Sequence, residues 1–170
     1  YSGDLVNRKA SEVERYKDIL SQLKATDGVF SVMGNHDYGD FVKWPSKEAH
    51  QANLDTLYRH HAEMGWTLLN NDHRYIYRNN DSIAVIGVEN WGEPPFQQYG
   101  NLQEAYPYLH DSTYKLLISH NPRHWRAEVL PNSNIDLMMA GHTHALQIEV
   151  AGYSPIEAHY PEWSGLYNEH

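Results

Sequence analysis

The chain has 170 residues, 41% of them hydrophobic and 21% charged, which suits one domain with a buried core and excludes a disordered or low-complexity chain. Thirteen Lys and Arg against 22 Asp and Glu give a net charge of −9, a sign that repels phosphate backbones, so no nucleic-acid partner is expected. Cysteine is absent, which removes disulfides, thiolate zinc sites and cysteine nucleophiles together.

After Tyr1-Ser2-Gly3-Asp4, residues 10–24 predict a helix with Val13, Tyr16, Leu20 and Leu23 on one face and Ser11 as its cap. Residues 29–33 predict a short buried strand ending at Gly34. A second amphipathic helix spans 46–64, with Leu54, Leu57, His61 and Met64 on its buried stripe and Gly65 to stop it. Strands over 75–78 and 83–88 are joined by Asn79-Asn80-Asp81, which has hairpin chemistry. Residues 91–108 read as a loop whose Trp91, Phe96, Tyr99, Tyr106 and Tyr108 either wall a binding site or pack the core. A strand at 116–119 precedes a short helix from Pro122 to Leu130. Strands at 135–140 and 146–150 close the pattern. Helices alternating with apolar strands indicate a layered α/β fold with a partly parallel sheet. No apolar run approaches the roughly 20 residues that span a bilayer, so the residues shown are expected to be soluble.

The 12 histidines are the compositional anomaly, and their placement carries the chemistry. Gly3-Asp4, Gly34-Asn35-His36-Asp37, His120-Asn121 and Gly141-His142-Thr143-His144 each follow a strand-like run. In α/β sheets ligands bind beyond the carboxyl ends of strands, so these loop starts can meet in one crevice. Carboxylate, amide oxygen and imidazole together suit manganese, iron or zinc rather than a calcium cage. A lone His-x-His is as readily a surface pair; four such clusters in this order are not. Arg123, His124 and Arg126 either pair with a second phosphate or present a solvated helix face.

Gly3-Asp4-Leu5-Val6-Asn7-Arg8, Gly34-Asn35-His36-Asp37, Ser119-His120 and Gly141-His142-Thr143-His144 resemble four of the five motifs of the calcineurin-like metallophosphoesterases, over residues 2–147. Within that family the chain is most similar to a bacterial, often membrane-anchored branch that includes lipid A precursor diphosphatases. The resemblance implies two β-sheets packed as a sandwich and flanked by helices, with a dinuclear centre of Mn²⁺, Fe²⁺/Fe³⁺ or Zn²⁺. It implies hydrolysis of a small-molecule phosphate ester or diphosphate by a metal-bridging hydroxide. Asp4 would bridge both metals, Asn35, His120 and His142 would complete the second, and His144 would bind the first. His36 would stand near the leaving oxygen, with Asp37 orienting its ring and Arg8 fixing the Asp4 loop.

The family's first motif, Asp-x-His on a preceding strand, has no counterpart after Tyr1. The expectation is therefore a partial catalytic domain holding one tight metal, with a membrane anchor conceivable outside it. A nuclease of the same superfamily and a non-enzymatic metal-binding domain are the competing functions.

Overall fold

Residues 1–94 and 97–169 are described by the structure, a computed structural model, so the predicted role of Phe96 lies outside the described residues. The segment expected to be one helix over 10–24 is a 3-10 helix, Ala10–Arg15, followed by a single α-turn, α1 (Lys17–Leu20). Only Ala10 and Val13 are buried there. Beyond Val13 only the half-buried Leu20 packs on the core, while Tyr16, Ile19 and Leu23 are exposed, a weak anchor for a longer helix.

The strand β1 (Val29–Ser31) and the strand β2 (Trp66–Leu68) pair in parallel, and α2 (Lys47–Glu63) connects them. Ser46 caps α2 as its spacing requires, Oγ accepting from the Ala49 amide at 3.2 Å. The predicted stripe of α2 faces inward: Leu57, His61 and Met64 are buried, and Leu57 and Met64 join Val6, Val13, Met33 and Trp66 in one core.

A four-stranded sheet follows in the order β3 (Asp72–Arg78), β4 (Asp81–Gly87), β5 (Tyr114–Ile118), β6 (Leu137–Met139). β3 and β4 form the predicted hairpin, each starting earlier than expected and β4 ending at Gly87 rather than 88, with Asn79 at φ 53°; β4, β5 and β6 run parallel. Alternation along the strands sorts side chains to two faces. Val85 and Ile118 meet Val32 and Leu69 between the sheets. Ala84, Ile86 and Leu117 pack on the other face against Leu102 and Ala105 of α3 (Leu102–Ala105), with Tyr106 and Val129. The result is a mixed α/β sandwich of two sheets with flanking helices, as expected.

Three expectations are corrected. Residues 146–150 form no strand: a 3-10 turn covers His144–Gln147, and Ala145, Leu146 and Gln147 sit at φ 51°, 48° and 56°, left-handed values no strand accepts. The helix after Pro122 starts late, as a π-turn (Trp125–Val129) running into α4 (Leu130–Asn132), because Asn121 Oδ1 takes the Arg123 amide and holds a tight turn first. The described aromatics of 91–108 build no wall over the strand ends. Tyr106 is core, Tyr99 stacks on Tyr38 at 3.8 Å, and Trp91 stacks on the buried His124 at 5.2 Å. Among the described residues no helix is long and apolar enough to cross a membrane.

Candidate metal centre

The sheet directions bring the polar clusters to one edge. β1 leads through Val32 and Met33 to Gly34-Asn35-His36-Asp37, β5 to Ser119-His120, and β6 to Gly141-His142. Tyr1 lies along β1, its amine on Phe30 O at 2.7 Å and its carbonyl accepting from the Val32 amide at 3.1 Å, so Asp4 emerges at the same edge. The Gly141 amide bonds His120 O at 3.0 Å and fastens the last two loops together.

Three polar atoms converge on a fourth. His120 Nε2 lies 3.1 Å from Asn35 Oδ1, 3.2 Å from Asp4 Oδ2 and 3.1 Å from His142 Nδ1. Its other nitrogen, Nδ1, bonds Ser2 O at 2.6 Å, and a carbonyl only accepts, so the proton of a neutral ring belongs there. Nε2 then turns a lone pair toward other acceptors, an arrangement that calls for a cation in its midst. Metal–nitrogen bonds of about 2.1 Å at 90–110° place ligand atoms roughly 3.0–3.4 Å apart, which these spacings match. Asp4, His120 and His142 also stand out as a ligand group by mutual proximity. The residues fit a divalent ion.

Charge follows the same logic. Burial works against the Asp4 carboxylate, but the hydrogen bond and charge of His120 and the His36 amide overcome it and hold Asp4 down at about 2. Burial also opposes a charged His120, yet Asp4 outweighs it and raises that ring, a proton standing where a metal would. His142 is lowered to about 4 by burial and by His120, which keeps it neutral and able to ligate. His144 is more exposed; its Nε2 lies 3.3 Å from the same Asp4 Oδ2, which therefore sits between His120 and His144.

Backbone shape is unusual here. Asp4, His142 and His144 all take positive φ, at 59°, 74° and 50°, strained for residues with a Cβ and common at functional sites. Gly34 must be glycine for space: a Cβ there would stand 2.6 Å from Asp4 N and 2.7 Å from His120 Cε1.

Of the remaining sequence candidates, Asp37 and Arg8 take parts different from those the resemblance implied. Asp37 is fully buried and does not hold the His36 ring. Its Oδ2 accepts from the Asp4 and Gly34 amides at 2.8 and 2.9 Å and its Oδ1 from Val6 at 3.1 Å, tying two loops together; burial lifts it to about 6. The His36 ring is held by Asn7 O, 2.9 Å from Nδ1. Arg8 is exposed, and Glu12 clamps its loop by accepting from the Asn7 and Lys9 amides at 2.8 and 3.1 Å. Arg123 pairs with Glu93 and Arg126 with Glu162 and Glu169, while His124 is buried between Ser119 and Glu128; none of the three faces a free anion site. Sequence reasoning missed Tyr160, whose hydroxyl lies 3.1 Å from His142 Nε2. It lies 18 residues away in a segment without motif, and nothing local signals it.

A cavity of about 600 Å³ opens on this centre, lined by His36, His142, His144, Leu146, Ile156 and Tyr160 among others. Its size suits a small molecule.

Comparison with known proteins points the same way. The family model for calcineurin-like phosphoesterases matches residues 1–146. An uncharacterized metallophosphoesterase of Helicobacter pylori is 29% identical over 147 residues, covering 86% of this chain and 35% of the relative. The metallophosphoesterase YkoQ of Bacillus subtilis, also uncharacterized, is 26% identical over 151 residues, 86% of this chain and 49% of the relative. A transmembrane protein with metallophosphoesterase domain from Danio rerio is 24% identical over 152 residues, 86% of this chain and 32% of the relative. The chain thus spans about a third to a half of these relatives' lengths.

Proposed function

Because this chain belongs to the calcineurin-like phosphoesterase family, we propose that it is a metal-dependent hydrolase of small-molecule phosphate esters or diphosphates. The observation that carries this reading is the convergence of Asp4, Asn35 and His142 on a His120 nitrogen whose proton is committed elsewhere. The ions, Mn²⁺, iron or Zn²⁺, would supply charge neutralisation at phosphoryl oxygens and a lowered pKa for water.

The chain's own residues do the rest. Asp4, Asn35, His120 and His142 would hold one ion, and Asp4 with His144 would offer two donors to another. Asp4 is ionised at neutral pH, so it ligates without releasing a proton. The Nδ1–H of His36 is held by Asn7 O, so it is the doubly protonated ring that can give its Nε2 proton to the leaving oxygen, the remaining Nδ1–H staying on Asn7 O. Help of that kind contributes about 10²–10⁴ in rate. Asp37 keeps the Asp4 and Gly34 loops in fixed relation, so donors and acid hold their distance.

Titration with Mn²⁺ alongside hydrolysis of bis(4-nitrophenyl) phosphate tests the proposal. One tight equivalent is expected, and turnover should rise only as a second, weaker equivalent fills the Asp4–His144 side. Metal uptake with no hydrolysis at any Mn²⁺ concentration would favour a non-enzymatic metal-binding domain. Faster cleavage of single-stranded DNA would favour a nuclease, against the net charge of −9.

A further inference from the structure

Tyr160 has no part in the roles assigned above, yet it touches the centre directly. Its hydroxyl lies 3.1 Å from His142 Nε2, and the two rings meet edge-on with centroids 5.5 Å apart. The phenol is itself held in place. The Arg123 guanidinium lies over its ring at 4.6 Å, and Arg123 is anchored by Glu93 Oε2 at 2.5 Å and by His159 O at 2.6 Å.

The two nitrogens of His142 therefore face different worlds. Nδ1 points into the donor cluster, 3.1 Å from His120 Nε2, while Nε2 meets Tyr160. A neutral imidazole carries one proton, and the nitrogen without it is the ligand. Only the Nε2–H tautomer offers Nδ1 to a metal. We infer that Tyr160 is a positioning residue of the metal centre: its oxygen accepts the Nε2–H of His142 and holds that ring with Nδ1 directed at the ion.

This inference rests on the metal-dependent reading above. Partners that fix a ligand's tautomer and orientation are typically worth about 10–100-fold in metal affinity. The Tyr160→Phe substitution removes only the hydroxyl and keeps the ring beneath Arg123.

Zn²⁺ is the probe, with calorimetric titration and ¹⁵N-resolved spectra of the histidine rings. Zn²⁺-loaded wild type should show zinc on Nδ1 of His142 and a slowly exchanging Nε2–H. The Tyr160→Phe chain should bind Zn²⁺ about 10–100-fold more weakly and exchange that proton fast, with the unfolding midpoint of its metal-free form unchanged. Equal Zn²⁺ affinity in the variant overturns the inference while leaving the metal centre standing. Zinc on Nε2 of His142 in the wild type overturns it without any variant. A wild type that takes up no Zn²⁺ refutes the metal centre and the inference together.

Discussion

Gly34→Ala tests the site through space alone, because Gly34 is not among the residues with positive φ. The new Cβ would stand 2.6 Å from Asp4 N and 2.7 Å from His120 Cε1, where ordinary contact begins at 3.4 Å. Both neighbours must retreat by about 0.7–0.8 Å, and Asp4 N is backbone already held by Asp37. Overpacking of this kind costs about 1–3 kcal/mol in the metal-free fold. The larger effect is expected on metal binding, since two of the four proposed donors move. Displacements near 1 Å at a reacting site can cost about 10²-fold, and a metal site is no more tolerant. Thermal unfolding with Mn²⁺ and with chelator reads both effects. At 100 times Kd the ion adds about 2.7 kcal/mol to the wild type, or about 5–10 °C in Tm for a chain of this length. At the same Mn²⁺ concentration a variant with a 100-fold weaker site gains only about 0.4 kcal/mol, near 1 °C. A Gly34→Ala chain that keeps the full Mn²⁺-induced shift would refute the claim that this contact sets the positions of Asp4 and His120.

Two further outcomes separate roles the geometry assigns. His142→Ala should lose metal by elemental analysis, whereas His36→Ala should keep it and lose about 10²–10⁴ in turnover of bis(4-nitrophenyl) phosphate; an emptied site in His36→Ala would make that ring a ligand. His61, buried in α2 with Nδ1 2.9 Å from Ser31 Oγ, is pushed down to about 4, first by burial and then by His60. The unfolded chain takes up that proton first, so stability is full above pH 6.5 and falls through the window from there to about 4, by up to about 3 kcal/mol. Urea unfolding across that window, with chelator present, should show a shallower acid slope for His61→Gln, and an unchanged slope would show that His61 does not titrate there.

That the four polar clusters meet was legible before the fold because glycine-flanked polar clusters after apolar runs mark strand ends, and strand ends are where such sheets place their sites. The long helix, the hairpin and the layered α/β character followed from periodicity and turn chemistry for the same local reason, whereas the two-sheet sandwich came from the family resemblance. What escaped was settled at long range. Asp37 reaches back to Asp4 and Val6, and Tyr160 meets His142, neither marked by any local pattern. The strand expected at 146–150 failed where the chain turns left-handed from His144 to Gln147. That failure and the site share a cause. Asp4, His142 and His144 adopt conformations that cost about 1–3 kcal/mol each, and such strain persists only where surrounding contacts over-determine it. Asp37 supplies those contacts for Asp4, and the Gly141 tie to His120 with the Tyr160 hydroxyl supplies them for His142. Among the described residues the His144 ring has only its 3.3 Å approach to Asp4, the weakest restraint of the three. By this reasoning the ring that local structure secures least is the one whose order depends most on an ion, which is why turnover should track the second equivalent of metal and not the first.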